Sequence, residues 1–157
     1  MTAAIRILGI GSPFGDDRAG WEAAALLQQR CRVGAADRQV DIRTLDRPGL
    51  LLVGQLAGTA SLVLIDAVRS GAAIGAIHRF TGSELSRRRP EVSSHAGGVM
   101  EAVQLARALG DVASNLLIFG IEADPANLGD NLTPAVSAAL PELVRRIEEQ
   151  VTVWSTL

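Results

Sequence analysis

The sequence predicts an α/β protein: a three-layer α/β/α arrangement built on a mainly parallel twisted sheet of about five strands, with helices on both faces. Three observations carry this expectation. Apolar runs recur at residues 5–10, interrupted by Arg6, and unbroken at 62–65 and 116–121, as strands buried on both faces require. Helical stretches separate most of them, as crossovers between parallel strands require. An acid or an imidazole stands at or beyond the strand ends: Asp16 and Asp17, Asp66, and His95. In open α/β sheets ligands bind beyond the carboxyl ends of the strands, so these groups mark the expected site.

The elements follow in order. Residues 5–10 form a first buried strand that runs into the turn Gly11-Ser12-Pro13-Phe14-Gly15. A helix over about 18–30 places Trp21, Ala24, Ala25 and Leu27 on a core stripe. Residues 40–45 alternate as VDIRTL, the pattern of a strand near a sheet edge. Residues 49–56 read as a short apolar helix, and 62–65 as a central strand closed by Asp66. Residues 76–80 give a fourth strand, followed by a polar loop over 82–93. A helix over 95–109 ends at Gly110, where a C-terminal glycine cap belongs. The fifth strand, 116–121, ends in Glu122. Thr133-Pro134 supplies an N-cap and a first-position proline for a last helix reaching about Val151, which Pro141 either kinks or restarts.

At 157 residues the chain suits one domain over 1–157 with one sizeable core. Aromatic residues make up only 3%, so aliphatic side chains must fill the interior and no stacking surface for nucleic acid is expected. A formal charge of −2 supplies no basic field for DNA or RNA. The cluster Arg87, Arg88, Arg89 beside Pro90 reads as a solvated loop or as a patch for an acidic partner surface. A single cysteine, Cys31, forms no internal disulfide, which fits a reducing cytoplasm. No signal peptide is read at the N-terminus, and no apolar stretch approaches the ~20 residues of a spanning helix. The expectation is a cytoplasmic protein without membrane contact.

Several chemistries can be weighed at the first turn. Gly9-x-Gly11 is followed by Phe14, where a dinucleotide fingerprint needs a third glycine. Asp16 and Asp17 would repel a pyrophosphate at the helix start. The Gly-Lys-Ser/Thr of a P-loop, the Gly-x-Ser-x-Gly elbow and His-Glu-x-x-His are all absent. Acids at a helix start also cap free N–H groups. One of the Asp16/Asp17 pair is expected to do so, with Asp16 favoured, leaving the other for chemistry. Asp66 alone could bond loop amides, and His95 alone could be a helix-start residue beside Ser93 and Ser94. Cys31 near a helix end reads as core packing, and His78 as an edge residue. Two carboxylates and an imidazole gathered at strand ends suit a divalent transition metal.

Taken in order, LGIGSPFGDDRAG, LVLIDAV, SSHAGGVMEAVQLARALG, LLIFGIEA and LTPAVSAALPELVRRI resemble the hydrogenase maturation proteases. These endopeptidases trim the C-terminus of the large subunit of nickel–iron hydrogenases. The resemblance covers nearly the whole chain. It implies a three-layer α/β/α fold and recognition of nickel already placed in the substrate. It also implies no tightly bound cofactor of the enzyme's own. It assigns metal contact and catalysis to Asp17, Asp66 and His95. The first loop carries Gly-Ser where many members have Gly-Asn, and is one residue shorter than in some. Asp17 stands where some relatives have the longer Glu. The expected partner is a hydrogenase large-subunit precursor. The alternatives are a non-proteolytic nickel-site chaperone or scaffold, and a nucleotide- or flavin-binding α/β domain.

Overall fold

The computed structural model describes residues 4–33, 40–85 and 98–157. Five strands form one sheet: β1 (Ile5–Gly11), β2 (Val40–Asp46), β3 (Ser61–Val68), β4 (Ile77–Thr81) and β5 (Asn115–Glu122). Their order is β2-β1-β3-β5-β4. All neighbours are parallel except β4, which runs antiparallel to β5 at the edge. The helices are α1 (Ala19–Val33), the single turn α2 (Gly82–Leu85), α3 (Val99–Ala108) and α4 (Pro134–Ser155). Two 3-10 segments, Gly15–Arg18 and Gly49–Gln55, complete the described elements.

The alternation of strand side chains divides the core into two layers. Ile5, Ile7, Val63, Ile65, Leu117, Phe119 and Ile121 pack against α1 and α4. Leu8, Ile10, Leu62, Leu64, Leu116 and Ile118 pack against α3 and the 49–55 segment. Helical spacing supplies the matching stripes, Val136, Leu140, Leu143, Val144 and Ile147 on α4 and Val99, Ala102, Val103 and Ala106 on α3. Arg6 is the charged exception on β1. It is buried but satisfied, with Nη1 donating to the carbonyls of Gln55 at 3.0 Å and Ala57 at 2.8 Å.

The sandwich of sheet and helices is the predicted one, with local corrections. The first helix starts as a 3-10 turn and continues three residues past the expected end. Its buried stripe is Ala19, Ala23, Ala24 and Leu27. Trp21 and Ala25 are only half-buried, because the indole stays near the rim and donates Nε1–H to the Leu45 carbonyl at 3.0 Å. The 49–56 helix is a 3-10 segment, and β3 runs well beyond the four apolar residues that announced it. Gly82 opens one helical turn where loop was expected. The predicted helix over 95–109 is observed from Val99, its first residues lying outside those described, and Gly110 does take a positive φ of 73° after it. Pro141 neither restarts nor divides α4. Both Pro141 and Ser137, whose carbonyl loses its helical partner, are exposed, so water can meet that carbonyl.

Three glycines bring α1 against the ends of the central strands. A Cβ on Gly20 would stand 2.2 Å from the Ile10 carbonyl oxygen and 2.8 Å from that of Ile65. One on Gly9 would stand 2.3 Å from the Gly20 oxygen, and one on Gly11 2.2 Å from the Asp17 oxygen. All of these are backbone clashes that no rotamer relieves.

Glu122 ties the far side of the sheet. It is 2% exposed and accepts from Ser70 N at 2.7 Å, Ser70 Oγ at 2.8 Å and Gly71 N at 3.0 Å, with His78 Nε2 at 2.9 Å. Burial pushes its carboxyl up, but the Ser70 hydroxyl, the His78 ring and the two amides outweigh it and hold the group below the usual carboxylate range. His78 thus sits on the edge strand as expected, stacked on Phe80.

Helix propensity alone would have Gly20→Ala stabilise the protein by up to ~1 kcal/mol. The backbone clash reverses the sign, and a loss of at least about 1–3 kcal/mol is expected from chemical denaturation.

Candidate functional site

The strand order reverses direction at β1. The connection from β1 passes over α1 to β2 on one side, and the connection from β2 returns by the 49–55 segment to β3 on the other. At such a switch point the loops diverge and leave a crevice at the carboxyl ends of the strands. A cleft of about 240 Å³ opens there, lined by Ile10, Gly11, Asp17, Arg47, Pro48, Gly49, Asp66, Gly98 and Val99.

Asp66 reaches it through strand alternation. Leu62 and Leu64 face the α3 layer, so Asp66 faces the same way, at the point where β3 outruns its hydrophobic cover. Its carboxyl is buried and accepts a bond from Ala67 N at 2.9 Å. Burial disfavours its charged form first, and the negative charge of Asp17 adds to that. The Ala67 amide opposes both, and the net result is a pKa well above the usual carboxylate range. Asp17 arrives from the 3-10 turn after β1, held where its main-chain oxygen accepts from Ser12 N at 3.2 Å. The two carboxylates singled out at strand ends therefore share one cleft.

The neighbouring acid does something else. Asp16 was favoured as a cap of its own helix, yet its side chain makes no such bond. It is 3% exposed and turns toward the loop before α4. There it accepts from Asp124 N at 2.9 Å, Thr133 N at 2.7 Å and Thr133 Oγ1 at 3.0 Å. Thr133 stands at the expected N-cap with Pro134 behind it, but its hydroxyl is spent on Asp16 and not on a helix amide. Gly15 supports the same junction with φ of 51°, because a Cβ there would press on Asn127 at 3.0 Å.

His95, Arg87, Arg88, Arg89 and the Cys31 side chain lie outside the described residues. Among the described residues no three His, Cys, Asp or Glu side chains gather into a metal-holding group. Sequence reasoning missed Arg47, which lines the cleft. Nothing in RTLDRPGL distinguishes it from a surface residue before a turn.

The fold and site define an open α/β protein with a carboxylate-lined crevice at its switch point, a poor seat for a pyrophosphate. Comparison with known proteins narrows the class. A family model described as hydrogenase maturation protease matches residues 30–150. The hydrogenase expression/formation protein HupD of Thiocapsa roseopersicina is 31% identical over 170 residues, spanning 96% of this chain and 75% of the relative. The hydrogenase maturating endopeptidase HybD of E. coli shares the fold at a TM-score of 0.74 and 21% identity, covering 91% of this chain and 88% of that one. The nickel–iron hydrogenase maturation protease HybD of Thermococcus kodakarensis does so at 0.74 and 23%, covering 93% and 97%. The chain belongs to the hydrogenase maturation protease family and is a peptidase of hydrogenase processing. Among the described residues no helix is long and apolar enough to cross a membrane.

Two adjacent acids should differ sharply in their effect on stability. Asp16→Ala strands three donors and should cost about 2–4 kcal/mol in urea melts, whereas Asp17→Ala should stay within about 0.5 kcal/mol of the parent.

The raised pKa of Asp66 also has a sign. The native state holds that proton more tightly than the unfolded chain. Stability is therefore greatest below the ordinary carboxylate pKa and falls, by roughly 1.4 kcal/mol per pH unit, as pH rises toward the native value. Asp66→Asn keeps an acceptor for the Ala67 amide without ionising. It should match the parent near pH 3 and exceed it near pH 8 in paired thermal melts.

Proposed function

We propose that this chain removes the C-terminal extension of a nickel-loaded large-subunit precursor of a nickel–iron hydrogenase. In this reading Asp17, Asp66 and His95 meet nickel that the precursor brings. The observation that carries it is the arrival of Asp17 and Asp66 in one cleft beside Gly98. His95, which the family resemblance adds to the set, precedes Gly98 by three positions and lies outside the described residues. The two carboxylates come from chain segments remote in sequence that the switch point of the sheet brings together.

The chemistry follows from the groups. Carboxylate and imidazole ligands suit Ni(II), and thiolates on the precursor would complete its coordination. The nickel is part of the substrate and acts as a checkpoint, because a nickel-free precursor forfeits those contacts. Asp66 holds its proton above the usual carboxylate range at rest. A cation brought beside it favours the ionised form and drives that proton off. Hydrolysis then takes place next to the contact, with a cleft carboxylate as general base toward water. Asp16 is not that base, since both of its oxygens are occupied by the loop before α4.

Incubating the protein with a nickel-loaded large-subunit precursor and weighing the product tests the reading. A C-terminal fragment should be lost from the loaded precursor and not from the nickel-free one. Asp17→Ala, Asp66→Ala and His95→Ala should each lower trimming by at least about 100-fold while circular dichroism stays native. Full trimming by the His95 variant would remove it from the site. Binding of the precursor without any loss of mass would favour the chaperone alternative.

A further inference from the structure

Arg47 is the non-glycine residue with positive φ among the described residues, at 40°. Its main chain has a structural task, donating N–H to the Gly11 carbonyl at 2.9 Å and so tying the turn after β2 to the end of β1. Glycine at this position would do that without strain. The fold therefore accounts for the turn and not for the arginine. Strain retained at a cleft wall points from the backbone to a use for the side chain.

The side chain has a defined seat. Its guanidinium lies 5.8 Å from the centroid of the Phe14 ring, which is 60% exposed. Nε and Nη2 face the carboxylate of Asp46 at 2.7 and 3.4 Å. This pair is open to water on both sides and is a weak reason to keep an arginine. Nη1 has no partner among the described residues. The guanidinium is thus oriented from beneath and from one side, with donors left over, in a wall of the cleft that holds Asp17 and Asp66. Leu50 and Leu51, both well exposed, continue the same segment. A planar donor beside an exposed aromatic and exposed leucines fits an extended polypeptide, which offers carbonyl oxygens and apolar side chains together. The acids opposite disfavour a free anion.

We propose that Arg47 is a specificity-determining residue that donates from Nη1, unpartnered among the described residues, to an oxygen of the precursor polypeptide as it enters the Asp17–Asp66 cleft. The inference rests on the peptidase reading of that cleft. Arg47→Gly and Arg47→Asn both suit a positive φ, so neither is expected to unfold. Each should raise KM for a nickel-loaded large-subunit precursor, and its Kd by calorimetry, about tenfold. The kcat should stay within about twofold, and the melting temperature of the glycine variant should not fall. Unchanged KM and Kd, a loss confined to kcat, or a lower melting temperature in Arg47→Gly would each overturn the proposal. If the parent binds the precursor without trimming it, the peptidase reading fails while the Kd ratio still judges Arg47. If the parent does not bind it, both fail.

Discussion

The cleft depends on how closely α1 approaches the carboxyl ends of β1 and β3. Gly20 puts bare backbone against the carbonyls of Ile10 and Ile65, and Gly9 and Gly11 remove the side chains that would hold the helix away. A helix standing off by the width of a methyl group would carry its preceding 3-10 turn with it, and Asp17 sits in that turn. Asp66 is fixed differently, by the pleat of a central strand buried on both faces. The site is the place where a position set by helix packing meets one set by strand alternation. Neither is adjustable without disturbing a core layer, which is how a scaffold holds reacting groups in register.

Consecutive acids at a helix start look interchangeable on paper, and the structure separates them completely. Asp16 is a buried structural acceptor whose three donors come from the loop ahead of α4. Asp17 is partly open and shares a crevice with Asp66. Their proximity makes the second carboxyl harder to ionise, on top of its burial. The cleft thus sets a partly exposed carboxyl beside a buried one whose charged form is disfavoured.

Much of this architecture was legible from residue pattern. Apolar runs marked β1, β3 and β5, with Arg6 the one charged interruption, because strands buried on two faces carry no polar alternation. The acids after β1 and in β3 pointed to the crevice, whereas Glu122 at the end of β5 has a structural task. The stripe on α1 was misassigned because Trp21 has large apolar area but also an N–H, and the rim satisfies both. The role of Asp16 could not be read locally, since its partners are more than a hundred positions away. Arg47 was invisible for a related reason. Its interest lies in a backbone angle and in a ring beneath it, and neither leaves a trace in composition or periodicity. Residues 76–80 read as a strand from sequence, but the antiparallel direction of β4 at the sheet edge follows from its pairing with β5 and not from any signal within its five residues.

The bond from Thr133 to Asp16 spans 117 positions of the polypeptide. The turn bearing Asp17 gains its final support only once the segment leading into α4 has been made and has docked. Contacts so distant along the chain close late, after local elements have formed. A growing chain on the ribosome would thus hold both cleft acids long before it held them in place. The placement of Asp17 is thereby coupled to the docking of a remote segment, and loosening the stretch ahead of α4 would loosen the turn that carries the acid.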